Sequence, residues 1–369
     1  MNYLFDYALL PKQKVLLKDI NASAGRLAKK LESLNGDKSG LSEYCQRVLS
    51  DKKEVLTAYL QIYTYVLSWA LHGSNLPYSK LTILEYGGGM GFISMLAKEL
   101  GVGNVVYNDI FEESRQGAQR LGALVGCVAD HYVCGDTDDV IEYSRKHDIQ
   151  YDGIASFDVI EHIYDIESFL EKLASFPGSR LKVVMTSAAN MYYKRYTKDV
   201  MQFQRQCELL GQQPSYGHYD RDTLRPYLDI RKELITEFSK DLSADEIDKL
   251  AVATRGLRQD DILNAVNAYL KTGQLPKVPR HPTNTCDPYT GNWQEHLMDP
   301  SELVTVMRRA GFEADWFSGY YSGRYGNIVK QFLARGANAV IGVMNQRAIR
   351  FAKFYTLYGV RQGEMSVAA

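Results

Sequence analysis

From about residue 79 the chain alternates short β-rich runs with amphipathic helical stretches, and this alternation constrains the fold more than any other feature of the sequence. Runs at 81–87, 104–110, 130–136, 151–160 and 180–188 read as strands, and stretches such as 91–101 and 165–175 between them read as helices. Consecutive strands joined by helices must run parallel, because the crossover returns each strand to the same starting edge. The pattern predicts an α/β fold with a doubly wound sheet, which binds ligands outside the carboxyl ends of its strands.

The flanking regions differ from this core. Residues 1–78 place leucines and charges at helical spacing, ending in an apolar helix at 54–73. On that helix Thr57, Gln61, Thr64 and Ser68 form one polar stripe, which either bonds within the core or faces a ligand. Residues 190–290 are mostly helical, with Ser243 and Glu246 set as a capping box and a proline-marked loop at 275–288. The sheet pattern resumes with a helix at 299–312, a strand at 313–321 and, after another helical stretch, a last strand at 351–360. Three parts are therefore expected: a helical lid or cap at 1–78, a core at 79–189 and 291–369, and a helical insertion at 190–290 that would serve as an acceptor-binding cap.

Composition narrows the partners. In 369 residues, 43 basic against 44 acidic side chains give a net charge of −1, so there is no global attraction to nucleic acid or to an anionic surface. A polyanionic partner would need a local patch, and no long basic run appears. Five scattered cysteines without a C-x-x-C pair suggest neither a disulfide framework nor a zinc site. The first residues lack the order of a signal peptide and no stretch reaches ~18 uninterrupted apolar residues, so a cytoplasmic protein without a membrane span is expected.

The stretch ILEYGGGMGF, 83–92, separates the ligand classes. A dinucleotide fingerprint needs G-x-G-x-x-G, but the sixth position from Gly87 is Phe92 and from Gly89 is Ser94. A triphosphate loop needs a following lysine and hydroxyl, which are absent. What remains is Glu85-x-Gly87-x-Gly89-x-Gly91, a strand end entering a glycine turn and then a helix, with a carboxylate suited to a cationic ligand. Asp109, at the end of the second strand, has two acceptor oxygens for the hydroxyls of a ribose, and Asp136, at the end of the third, can accept from an adenine amine. An adenosine with a cationic, phosphate-free tail is S-adenosylmethionine.

In these motifs the sequence resembles the class I S-adenosylmethionine-dependent methyltransferases, over 79–189 and 291–361. Glu85 to Gly91 matches the family's first motif, Asp109 its ribose-binding acid, Asp136 its adenine-side acid, FDVIEHI (157–163) its fourth motif, and RRAGF (308–312) the turn before strand six. The resemblance implies a seven-stranded sheet with an antiparallel last strand, S-adenosylmethionine as cofactor, and a cofactor site made of Glu85, Tyr86, Gly87, Gly89, Gly91, Asp109, Ile110, Gly135, Asp136, Thr137, Phe157 and Asp158.

The acceptor side is less defined. Methyl transfer from a sulfonium needs a positioned acceptor and, for a hydroxyl, a base. Asp158, Glu161 and His162 follow the fourth strand, and histidine is the residue type best suited to that work near neutrality. His296, where the insertion rejoins the core, is a second candidate, and Tyr192, Tyr193 and Tyr196 are candidates to line a substrate pocket. His218 and His281 lie in the insertion and are weaker candidates. Some relatives place magnesium ligands where Glu161 and His162 stand, but two ligands do not complete a shell, so metal dependence stays open. The expected activity is O-methylation of a small polar metabolite or sugar unit rather than of nucleic acid, with an oligomer left open. N- or C-methylation and a catalytically silent cofactor-binding subunit or sensor are the alternatives.

Overall fold

The computed structural model describes residues 3–4, 10–34, 40–212, 223–277, 283–321 and 328–362, with the side chains of Glu54, Ile328 and Gln362 left aside. His218 and His281 lie outside the described residues, as does part of the proline-marked loop. The chain opens with α1 (Lys14–Glu32), α2 (Glu43–Glu54) and α3 (Leu56–Leu71). The core follows as β1 (Thr82–Glu85), α4 (Phe92–Leu100), β2 (Asn104–Asp109), α5 (Glu112–Val125), β3 (His131–Cys134), α6 (Thr137–Lys146), β4 (Gly153–Phe157), α7 (Ile166–Lys172) and β5 (Arg180–Ser187). Four helices come next, α8 (Lys194–Leu209), α9 (Tyr227–Phe238), α10 (Ala244–Ala253) and α11 (Gln259–Thr272). The chain then returns through α12 (Pro300–Arg309), β6 (Glu313–Ser318), α13 (Ile328–Met344) and β7 (Tyr355–Gln362).

The strands form one seven-stranded sheet in the order β3-β2-β1-β4-β5-β7-β6. Strands β1 to β5 pair in parallel, while β7 runs antiparallel to both β5 and β6. This is the class I methyltransferase fold expected from the resemblance, with the order reversing between β1 and β4, where a crevice opens. Buried on both faces, β5 has seven consecutive buried positions, which explains its continuous apolar run. The last strand begins at Tyr355 rather than at 351, because residues Asn345–Phe351 wind into a 3-10 helix first.

The chain divides into two compact units, one of residues 1–159, 167–188 and 300–369, the other of 160–166 and 189–299. In the first, the N-terminal helices share the core of the sheet: Leu16, Ile20 and Leu27 of α1 and Leu60 and Val66 of α3 join Ile83, Leu96, Ala155 and Val184 in one buried cluster. Of the polar stripe of α3, Thr57 is half-buried and the other three members belong to that core. Gln61, Thr64 and Ser68 are buried, and the two hydroxyls turn back to carbonyls of their own helix, Thr64 to Gln61 at 2.7 Å and Ser68 to Tyr65 at 2.8 Å.

The second unit has its own core, in which Cys207, Tyr227, Ile230, Ile235, Leu250, Ile262 and Val266 are buried. The Ser243–Glu246 capping box starts α10 as expected, each partner's side chain bonding the other's backbone N–H. Within this core the fully buried Arg231 guanidinium forks onto the Glu208 carboxylate and gives its Nε–H to the Ala251 carbonyl at 2.8 Å.

Candidate functional site

The glycine turn after β1 is shaped by its neighbours. Gly87 has φ +66°, and a Cβ there would come within 2.5 Å of Val159, while a Cβ on Gly88 would meet Tyr107 at 2.6 Å. Gly89 differs: its φ is +52° and a Cβ on it would meet nothing within 4 Å, so here the backbone borders open space. Glu85 explains the rest of the turn. Its carboxylate is buried and accepts the backbone N–H groups of Ile93 at 3.0 Å and Ser94 at 2.8 Å, in the first turn of α4. A helix N-terminus of this kind offers its N–H groups to a phosphate. Here a protein carboxylate takes that place. Burial pushes the Glu85 carboxyl up to about 7, against the pull of the two N–H donors.

Glu85, Tyr86, Gly87, Gly88, Gly89, Phe157 and Asp158 line a cavity of about 260 Å³ together with Tyr44, Val48, Lys52, Tyr59, Tyr63 and Phe92. The cavity therefore joins the end of β1, the end of β4 and the helices α2 and α3. No cation is visible in the local sequence of the glycine turn, yet the structure brings one from α2. The Lys52 ammonium lies 3.8 Å from the centroid of the Tyr59 ring and 3.1 Å from the Tyr63 hydroxyl. Burial lowers the Lys52 ammonium to about 8, and the charges of Asp158 and Glu85 oppose that fall. Tyr63 stacks on Phe92 with ring centroids 5.6 Å apart and meets Phe157 edge-on at 5.5 Å. Asp158 holds a left-handed backbone with φ +51°, uncommon for a non-glycine residue, and its side chain accepts from the Ala188 N–H at 2.9 Å.

The remaining cofactor candidates surround the ends of β2 and β3. Asp109 is buried, and its carboxylate accepts from the Gly89 N–H at 2.9 Å and from the Phe111 N–H at 2.9 Å, which ties the second strand to the glycine turn. Next to it Ile110 is 61% exposed, an apolar face at the strand end with no core to fill. Asp136 is the N-cap of α6, accepting from Asp138 and closing a capping box with Asp139. A Cβ on Gly135 would strike that Asp139 carboxylate at 2.2 Å, so this glycine serves the cap. Thr137 is buried and shares a 2.8 Å hydrogen bond with the Tyr86 hydroxyl. Gly91, with φ +74°, starts α4 and packs toward Ala118.

The acceptor-side candidates gather in the second unit. The backbone of 293–296 runs alongside 161–162: His296 N–H donates to the Glu161 carbonyl at 3.0 Å, and Trp293 N–H to the His162 carbonyl at 3.2 Å. The two histidines singled out in the sequence thus share one cluster. His162 Nδ1 lies 2.9 Å from the Trp293 carbonyl, which can only accept, so Nδ1 carries a proton and in the neutral ring Nε2 presents the lone pair. That Nε2 is 3.9 Å from the Glu295 carboxylate, which also accepts the Tyr196 hydroxyl at 2.7 Å. His296 stacks on the Trp293 ring with centroids 4.2 Å apart. Tyr192 donates its hydroxyl to Asp299, and Tyr193 is the residue before α8. Glu295 was not distinguished by its sequence context; its φ of +59° is the unusual feature. Among the described residues no three His, Cys, Asp or Glu side chains gather as a metal shell.

No family model matches the sequence, and no curated protein does. Solved structures overlap with it more broadly. The plantazolicin methyltransferase BpumL in complex with SAH is 15% identical, covers 94% of this chain and 99% of its own, and gives a TM-score of 0.37. A chain of the Haloferax volcanii Trm112 methyltransferase activator complex is 12% identical over 85% of this chain and 96% of its own, with a TM-score of 0.41. An S-adenosylmethionine-dependent methyltransferase from Mesorhizobium loti is 14% identical over 78% of this chain and 94% of its own, with a TM-score of 0.36. The strand order, rather than these overlaps, defines the fold as that of the class I methyltransferases.

Proposed function

We propose that the protein is an S-adenosylmethionine-dependent methyltransferase that methylates a hydroxyl of a small polar metabolite or sugar unit. The observation that carries the donor is the placement of Glu85 and Lys52 on one cavity. Glu85 occupies the helix N–H groups a phosphate would need, while the cavity beside it keeps one ammonium and several aromatic faces. A ligand with a carboxylate, a cation and no phosphate suits those groups. Lys52 would pair with the methionine carboxylate, the rings of Tyr59, Tyr63 and Phe157 would face the cation, and Asp109 would take the ribose hydroxyls. Ile110, Asp136 and Thr137 would border the adenine. The bound cofactor supplies a methyl group already activated for in-line displacement.

For the acceptor, we assign the proton to His162. With Nδ1–H held on the Trp293 carbonyl, Nε2 is the free base; it takes the hydroxyl proton as the oxygen attacks, and Glu295 stabilises the imidazolium that forms. His296 and Trp293 keep that imidazole in place, and Tyr192, Tyr193 and Tyr196 contribute to acceptor binding. Residues 190–290 carry acceptor selection in this reading.

The test is transfer of labelled methyl from S-adenosylmethionine to a panel of sugars, phenols and acids. His162→Asn should lower kcat by roughly 100-fold or more while leaving cofactor affinity unchanged. Full activity in that variant removes His162 as the base. Tight cofactor binding with no transfer to any acceptor would favour the sensor reading.

A further inference from the structure

The connection between β6 and β7 carries features that the methyl-transfer reading leaves unused. Between Asp315 and Glu364 the sequence holds seven basic residues and no acidic one, although the whole chain has a net charge of −1. These bases are spread out and form no run, so their concentration shows only when the helix is built. Arg361 turns inward, donating to the carbonyls of Phe176 and Gly178, but Lys330, Arg335, Arg347, Arg350 and Lys353 are all exposed.

Helix α13 sits amid these charges and is oriented against the usual pattern. Its inner side is set by Ala334, Asn338 and Ile341, which are buried, with the Asn338 side chain bonded to both backbone groups of Tyr321. At 3.6 residues per turn, Val329, Leu333, Val340 and Val343 fall on the opposite side, with Phe332 beside them. Their exposures are 64%, 65%, 51%, 88% and 76% in that order. An outward apolar arc of this size costs solubility unless something covers it. Lys330 and Arg335 stand at its two borders, where long basic side chains can reach past an apolar boundary to a negative layer. The helix is followed by Arg347, Arg350 and the 57% exposed Phe351.

We propose that α13 and the 3-10 turn after it form a docking surface for an anionic lipid bilayer, lying in the plane of the headgroups with the apolar arc toward the acyl chains. The charge decides the occupant. A second copy of this chain would bring the same basic borders against themselves across a two-fold axis, which like-charge repulsion disfavours. An anionic lipid surface complements both parts, the arc and its rim. The surface docks and does not span: among the described residues no helix is long and apolar enough to cross a membrane. This reading is independent of the cofactor assignment.

The experiment is co-sedimentation of the full chain with vesicles of phosphatidylcholine alone and with phosphatidylglycerol added. Binding is expected only with the anionic lipid and should weaken as salt is raised. Phe332→Ser with Val343→Ser, and separately Arg347→Glu with Arg350→Glu, should each weaken it roughly tenfold or more. Thermal melts of the variants confirm folding. Hydrogen exchange on the wild-type chain gives a second readout, with new protection at 329–343 in the presence of anionic vesicles. Equal binding to both vesicle types, or to neither, overturns the proposal. So does a dimer mass by light scattering that Phe332→Ser with Val343→Ser abolishes.

Discussion

The local role of Glu85 is set by α4. The local motif sets a carboxylate beside the glycines as if to meet a cationic ligand, yet Glu85 uses both oxygens to hold α4. Lys52, which lines the same cavity, stands 33 residues earlier in the chain and is invisible to any local motif. Glu85→Ala should destabilise the protein by about 2–4 kcal/mol, since two buried N–H groups lose their acceptors; chemical denaturation measures it. With the carboxyl near 7 in the folded state against 4.5 in its absence, the folded protein holds a proton that the unfolded chain releases. The Glu85 contribution therefore declines as pH rises from 4.5 toward 7. Lys52 titrates in the opposite sense. Between about 8 and 10.5 the unfolded chain keeps a proton that the folded, unliganded protein has lost, so this term favours folding as pH rises there. A ligand carboxylate prefers the ammonium, so S-adenosylmethionine should bind more weakly above about pH 8. Lys52→Met should flatten that pH dependence and cost roughly tenfold in affinity, with no such loss for decarboxylated S-adenosylmethionine, as read by calorimetry.

Elements follow the sequence closely where periodicity sets them and depart from it where tertiary contacts do. The parallel strands appear where β-rich runs alternate with helices, because burial on both faces demands that pattern. The stripe on α3 is a different case: spacing shows that Gln61, Thr64 and Ser68 share a side, but only packing shows that this side is core. The aromatic residues Tyr59 and Tyr63 reach the cavity instead. Helix α13 was legible only as a helical stretch, since an apolar arc reads as core until its neighbours are known. In the second unit Arg231 and Glu208 form a buried ion pair. Arg231→Ala leaves Glu208 buried without its partner and should cost about 3–5 kcal/mol, measured by denaturation. Ser243→Ala, at the exposed end of α10, should cost only about 1 kcal/mol by the same measurement.

At the scale of the whole chain, the fold class was legible because the alternation of strand and helix is a local pattern that repeats along the sequence. The cluster of residues 161–162 with 293–296 was not legible, because sequence separation hides that pairing. The N-terminal helices were expected as a cap, and the structure gives them a share of the sheet's core and of the cavity wall. The central claim is that this cavity holds S-adenosylmethionine against Gly89. Isothermal titration of S-adenosylmethionine into the folded wild-type chain and into Gly89→Arg tests it most directly. The new side chain enters space that is otherwise open, at a positive φ costing about 1 kcal/mol, so the variant should fold. The account predicts saturable heat at one site in the wild type and at least a roughly 100-fold weaker affinity in the variant. No heat in the folded wild type, or equal affinity in both proteins, would contradict it.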